Sequence, residues 1–146
     1  VPSGPSTAEM ILIKAECLAR QNKISEAMTE VNKLRDVRML SSAPESVKHL
    51  NASTKAEAVR VILEERMREM PFSQRWNDIR RLNHNEDPAD DVGDLTRTYF
   101  PYNASTILTS ETPVIYTLRK GSRRYAVPLP QSDILASGGV IEQNKY

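Results

Sequence analysis

The chain has 146 residues, enough for one domain with a hydrophobic core, and its 20 basic residues nearly balance its 19 acidic residues. The resulting net charge of +1 provides no overall field that would attract DNA or an anionic membrane. The single cysteine, Cys17, excludes an intrachain disulfide and any zinc site built from several cysteines, and we expect this small apolar residue to be buried.

Residues 7–38 predict an antiparallel pair of helices. Apolar residues recur there at helical spacing: Met10, Ile13, Cys17 and Leu18 in the first helix, then Ile24, Ala27, Met28, Val31 and Leu34 in the second. The polar stretch 21–23 separates the two, and Asn22 can take the left-handed conformation that ends a helix. Small alanines near the crossing make this pair similar to one tetratricopeptide-type unit.

A second helix pair is predicted over residues 54–83. Ser53 or Thr54 should cap the third helix, with Glu57 completing a capping box. The apolar stripe of this helix comprises Val59, Ile62, Leu63, Met67 and Met70. Pro71 ends the helix because proline lacks an amide hydrogen, and Ser73 can cap the fourth.

The only tryptophan, Trp76, lies in the fourth helix among arginines. Ile79 and Leu82 follow it at spacings of three residues, which predicts that the indole lies on the buried side of the helix. Trp76 is therefore interpreted as a core anchor whose edges are covered by the aliphatic stems of arginines. A ligand platform is the alternative interpretation.

Residues 84–146 are predicted to form a loop, a ribbon and a tail. The acidic segment 86–94 lacks the spacing of a calcium-binding loop, so no metal site is predicted. Alternating apolar and polar residues in 95–103 and 113–129 predict short strands, with a turn at 120–123. The predicted fold is mainly α, with about four helices in tetratricopeptide-like pairs, a short β ribbon and an irregular C-terminal tail, all in a single domain over 1–146.

Motifs of catalysis and cofactor binding are absent from the sequence. It contains no nucleophile elbow, phosphate loop, dinucleotide fingerprint or metal-binding histidine pair, so we predict no enzyme and no cofactor. The basic cluster Arg119, Lys120, Arg123 and Arg124 is the best electrostatic patch. A role in solubility is preferred over phosphate binding, and no nucleic-acid partner is expected.

Three segments together resemble one protein family. They are AEMILIKAECLARQNKISEAMTEVNKLRDVR (8–38), ILEERMREMPFSQRWNDIRRLN (62–83) and YAVPLPQSDILASGGVIEQNKY (125–146), and they resemble the C-terminal part of SusD/RagB-type lipoproteins. The middle segment matches the family pattern at Glu65, Arg66, Glu69, Phe72, Arg75, Trp76, Asp78, Ile79 and Arg81. The resemblance implies that these residues are structural.

The resemblance also implies a function without catalysis. Such proteins bind glycans at the outer-membrane surface of Gram-negative bacteria and deliver them to a SusC-like TonB-dependent transporter. Because the chain starts with VPSGPS, without a signal peptide, and because Cys17 lies in a charged helical context, we expect the lipid anchor to lie upstream of this fragment.

Aromatic residues stacked on sugar rings would be expected at a glycan site. The only clustered aromatics outside the helical stripes are Tyr99, Phe100, Tyr102 and Tyr116. A packing role is the preferred interpretation for them, with glycan binding as the alternative. The alternative to the whole functional hypothesis is a tetratricopeptide-like protein-interaction domain that binds no sugar.

Overall fold

The computed structural model describes residues 4–71 and 75–145, and these ranges contain six α-helices and four short strands. The helices are α1 (Thr7–Arg20), α2 (Ile24–Arg38), α3 (Glu45–Lys48), α4 (Lys55–Glu69), α5 (Arg75–Leu82) and α6 (Gln131–Ala136). The strands are β1 (Leu95–Tyr99), β2 (Tyr102–Asn103), β3 (Thr106–Ile107) and β4 (Val114–Leu118). The predicted class, mainly α with a small ribbon, is confirmed.

The chain divides into two compact units, Val1–Asp78 and Ile79–Tyr146. Helices α1 to α4 belong to the first unit, the strands and α6 belong to the second, and α5 runs across the boundary. The prediction of a single domain stays a prediction. Within the described ranges, every helix is too short or too polar to cross a lipid bilayer.

The core of the first unit lies between α1, α2 and α4. Its buried apolar residues are Ala8, Leu12, Ala15, Ala19, Ala27, Met28, Val31, Leu34, Ala58, Val59, Val61 and Ile62. Four of the alanines are fully buried, and their small side chains let the helices approach closely. The predicted helix pair is confirmed, and Asn22 has the left-handed φ of 63° expected at the break between its helices.

The predicted buried face of α1 is wrong. The buried residues of this helix are Ala8, Leu12, Ala15, Glu16 and Ala19, whereas Met10, Ile13 and Cys17 are exposed. Apolar residues occur on both sides of α1, so helical periodicity alone does not decide which side is covered. The alanine-rich side is buried because it permits closer packing against α2 and α4.

Helix α4 begins and ends where the sequence predicts. The Thr54 hydroxyl accepts a hydrogen bond from the Glu57 amide at 3.2 Å, and the Glu57 carboxylate accepts one from the Ser53 amide at 2.8 Å. The helix ends at Glu69, two residues before Pro71. Along the predicted stripe, Val59 and Ile62 are buried and Leu63 and Met70 are partly buried, but Met67 is exposed.

The prediction that Trp76 is a buried core anchor is wrong, because the side chain keeps 38% of its accessible surface. The buried residues in and directly after α5 are Asp78, Ile79, Leu82 and Asn83. At ~100° per residue, Trp76 lies about 90° from the centre of that stripe, at its edge. The proposed cap Ser73 and the motif residue Phe72 lie outside the described residues.

Two lysines on α1 and α2 converge on one carboxylate. Glu30 of α2 accepts hydrogen bonds from Lys14 of α1 at 2.8 Å and from Lys33 at 2.7 Å. The hydrogen bond from Lys14, followed by that from Lys33, lowers the pKa of Glu30 below its ordinary value of 4.5. Glu30 therefore links the two helices of the hairpin in its ionised form.

The second unit contains the predicted ribbon, but its two paired strands are not joined by the predicted turn at 120–123. Strands β1 and β4 pair antiparallel, with Leu95 opposite Leu118 and Tyr99 opposite Val114. The expected turn at 120–123 does not join two strands, because the chain after β4 forms a 3₁₀ turn at Arg123–Tyr125. The small β2–β3 hairpin instead lies between the two long strands in sequence, and the short helix α6 lies in the tail that the sequence predicts to be irregular.

Candidate functional site

Three exposed tyrosines form an aromatic cluster in the second unit. The ring centroids of Tyr99 and Tyr102 are 5.8 Å apart at an interplanar angle of 52°, and those of Tyr99 and Tyr116 are 6.5 Å apart at 67°. The three residues keep 43%, 56% and 61% of their accessible surface for Tyr99, Tyr102 and Tyr116, respectively. The rings therefore contact one another while remaining open to solvent. We call Tyr99, Tyr102 and Tyr116 the tyrosine cluster.

The strand register explains why two of these rings meet. Tyr116 lies directly opposite Arg97, and Tyr99 lies two residues beyond Arg97 on the same strand. Side chains at positions i and i+2 of a strand share one face, so Tyr99 and Tyr116 are diagonal neighbours on one face of the ribbon. Tyr102 begins β2 directly after Pro101 and brings the third ring to the same place.

The fourth aromatic candidate does not join the cluster. Phe100 directly follows the last residue of β1, is half-buried, and makes no ring contact with the three tyrosines. The sequence placed Phe100 with the three tyrosines because the residues are near one another in the chain or in the predicted ribbon. It did not separate the exposed rings from the half-buried one, because Phe100 lies beyond the regular alternation of β1.

The start of β1 and the end of β4 are tied to the acidic loop. Asp94 accepts a hydrogen bond from the Lys120 amide at 2.7 Å, and the Lys120 ammonium pairs with Asp91. Asp87 accepts from the Ala89 amide at 3.1 Å, as the cap of a short 3₁₀ turn. These carboxylates hold the loop and the ribbon together, and no cluster of metal-ligating side chains is found within residues 4–71 and 75–145.

A buried asparagine organises the same loop. The side-chain oxygen of Asn83 accepts hydrogen bonds from the amides of Val92 and Gly93, both at 2.9 Å. Its amide nitrogen donates to the Gly93 carbonyl at 3.0 Å and to the Tyr125 hydroxyl at 3.1 Å. Sequence reasoning missed this residue, because its partners lie 9 to 42 positions away along the chain.

The carboxylates and arginines of the family pattern between Glu65 and Asp78 belong to the first unit. Glu65 is buried and accepts hydrogen bonds from Arg35 at 2.6 Å and from Arg68 at 2.8 Å. Arg66 donates to Asp78 at 2.7 Å and to Glu9 at 3.0 Å.

Three other residues of that pattern, Glu69, Arg75 and Arg81, are more exposed. Glu69 pairs with the exposed Arg38, and this contact raises the pKa of the arginine. Arg75 is partly buried and Arg81 is exposed. Charged hydrogen bonds of the pattern residues join helices α1, α2, α4 and α5.

The comparisons with known proteins identify one family. A model of the SusD family matches residues 7–146, which is nearly the whole chain. No match exists among curated proteins or among solved structures.

Proposed function

The chain belongs to the SusD family, and we propose on this basis that it binds an oligosaccharide at the outer-membrane surface and delivers it to a TonB-dependent transporter. Proteins of this family bind glycans in nutrient uptake and are not enzymes. They associate in general with SusC-like transporters and are generally outer-membrane lipoproteins. In this proposal the chain binds and transfers its ligand without breaking a bond.

We propose the tyrosine cluster as a sugar-binding surface of this protein. The observation that carries this proposal is that three rings are grouped and yet all exposed, because a packing role would have covered them. Exposed aromatic rings stack on the apolar faces of sugars, and a phenol hydroxyl can also exchange hydrogen bonds with sugar hydroxyls. This arrangement favours glycan binding over the packing role that the sequence alone suggested.

Titration of the protein with a panel of oligosaccharides tests this proposal, with binding measured by calorimetry and by intrinsic fluorescence. We expect Tyr116→Ala to weaken binding about tenfold, since a lost stacking contact is worth roughly 1.4 kcal/mol. Ile115→Ala is the matched control: Ile115 neighbours Tyr116 on the same strand, is equally exposed, and lies on the opposite face of the ribbon. This control should bind like the unmodified protein.

The alternative function is a tetratricopeptide-like protein-interaction domain. The exposed apolar side of α1, with Met10 and Ile13, is the observation that favours it. If no oligosaccharide of a broad panel binds, the glycan proposal fails and this alternative stands. Equal losses in Tyr116→Ala and Ile115→Ala would leave glycan binding in place but remove the tyrosine cluster as its site.

The proposed location and partner have a separate test. Metabolic labelling with a fatty acid should mark the full-length protein if it is a lipoprotein. Purification from outer membranes should then recover a TonB-dependent transporter with it. A protein without lipid that sediments away from the membrane fraction would contradict the proposed delivery step.

A further inference from the structure

The face of the ribbon that carries the tyrosine cluster also carries an arginine. Arg97 lies directly opposite Tyr116 and two residues before Tyr99, so the three side chains leave the same face of the sheet. The Cβ atoms of directly opposite residues are about 5 Å apart in an antiparallel pair. The guanidinium group is therefore within reach of the edge of any ring stacked on Tyr116.

This arginine is exposed and has no acidic partner among the described residues. The salt bridges formed within residues 4–71 and 75–145 do not involve Arg97. The hydroxyls of Tyr99, Tyr102 and Tyr116 likewise make no hydrogen bond to a described residue. The polar groups on this face are thus available to a ligand.

Basic residues outnumber acidic residues within the ribbon, whereas the adjoining acidic loop 86–94 carries five carboxylates. Residues 95–125 contain five basic residues and one acidic residue, Glu111, a net charge of +4 in a chain whose total is +1. The acidic loop neutralises only Lys120 of the basic group. Arg119 and Arg124 line a concavity of about 440 Å³ at the end of the ribbon. The attraction of an anion to these basic side chains weakens with salt.

We propose that the oligosaccharide bound by the tyrosine cluster is acidic, and that Arg97 binds the carboxylate of a uronic acid residue stacked on Tyr116 or Tyr99. This inference rests on the proposed glycan-binding function. A guanidinium group presents a planar fork that matches the two oxygens of a carboxylate, whereas neutral hydroxyls use only part of it. The carboxylate of a uronic acid is attached directly to the sugar ring, which places it at the edge of a stacked ring, where Arg97 can reach it.

A pair of matched oligosaccharides tests the inference. One is a uronic acid oligosaccharide, and the other is the same compound with its carboxylates reduced to alcohols. The unmodified protein should bind the acidic compound about tenfold more tightly, because a charged hydrogen-bonded pair is worth about that factor. The preference should shrink as the salt concentration rises from low to high ionic strength.

Variants identify the residue responsible. Arg97→Ala should remove the preference for the acid, because it weakens binding of the acidic compound more than binding of the reduced compound, and Arg97→Lys should restore part of that preference. Arg119→Ala is the control for net charge, since it removes one positive charge at the end of the ribbon without touching Arg97. An equal loss of preference in Arg119→Ala would overturn the assignment to Arg97.

The outcomes separate this inference from the proposed function. Equal binding of the acidic and the reduced compound overturns the inference and leaves glycan binding intact, whereas binding of neither compound, nor of any other glycan, overturns the proposed function. Tighter binding of a sulfated oligosaccharide without uronic acid than of the uronic acid compound would overturn the choice of carboxylate. Self-association that is abolished by Tyr116→Ala, measured by sedimentation, would show that a second copy covers the cluster instead.

Discussion

Arg66 of α4 donates from Nε to a carboxylate oxygen of Asp78 in α5 at 2.7 Å, and the two side chains keep only 9% and 12% of their accessible surface. The same guanidinium donates to Glu9 of α1 at 3.0 Å. One arginine therefore connects three helices, and its third nitrogen, Nη1, is buried without a partner among the described residues. The charge of Arg66 depends on both carboxylates for compensation.

Asp78→Ala should lower the free energy of unfolding by about 3 kcal/mol, because removing one partner leaves a buried charge with less compensation. Urea denaturation at neutral pH measures this loss. Glu26→Ala, at an exposed position of α2, is the control and should stay within about 0.5 kcal/mol of the unmodified protein. A similar small change in Asp78→Ala would show that Glu9 alone compensates Arg66.

Asn83→Ala should destabilise the second unit by about 2–3 kcal/mol, because it leaves the partly buried loop amides of Val92 and Gly93 without this acceptor. Tyr125→Phe removes the hydrogen bond to the asparagine nitrogen but leaves both loop amides bonded to Asn83, and it should cost about 1 kcal/mol. Hydrogen exchange of the loop amides, read together with urea denaturation, distinguishes the two variants. Unchanged protection of these amides in Asn83→Ala would contradict the bonding described for the loop.

The stability of the helix hairpin should depend on pH through the ionisation of Glu30. Because its pKa is lower in the folded chain than the ordinary 4.5, the stabilisation is fully present above that value and is lost as the pH falls below it, through the folded pKa. Glu30→Gln should therefore be less stable than the unmodified protein at pH 7 and about equal to it in strong acid. Glu26→Gln serves as the control on the same helix, and equal pH dependence in both variants would contradict the role of Lys14 and Lys33.

Trp76 should behave as a partly exposed side chain. We expect Trp76→Phe to cost much less than Leu12→Ala, since Leu12 is 1% exposed and truncation of a buried leucine typically costs about 2–5 kcal/mol. Iodide should quench the tryptophan fluorescence of the folded protein with a rate constant between those of a fully exposed and a fully buried indole. Complete protection from iodide, or a loss in Trp76→Phe as large as that in Leu12→Ala, would indicate a buried indole.

Local signals in the sequence predicted the elements well. The break at Asn22, the capping of α4 by Thr54 and the end of that helix before Pro71 depend on neighbouring backbone groups, so the residues that determine them are close in sequence. The burial of α2 was also predictable, because only one side of that helix is apolar. The four aromatic candidates could be named from their spacing, although the exposure of three of them could not.

The sequence by itself determined the class of the fold, the starts and ends of the main helices, and the family to which the chain belongs, since these depend on local chemistry and on an ordered set of motifs. Only the tertiary structure decided which side of α1 is buried, how far Trp76 is exposed, and that Arg97 shares a face with Tyr99 and Tyr116. The reason is that burial and strand register arise from contacts between residues far apart in the chain, and one residue of difference in register reverses the face of every side chain on a strand.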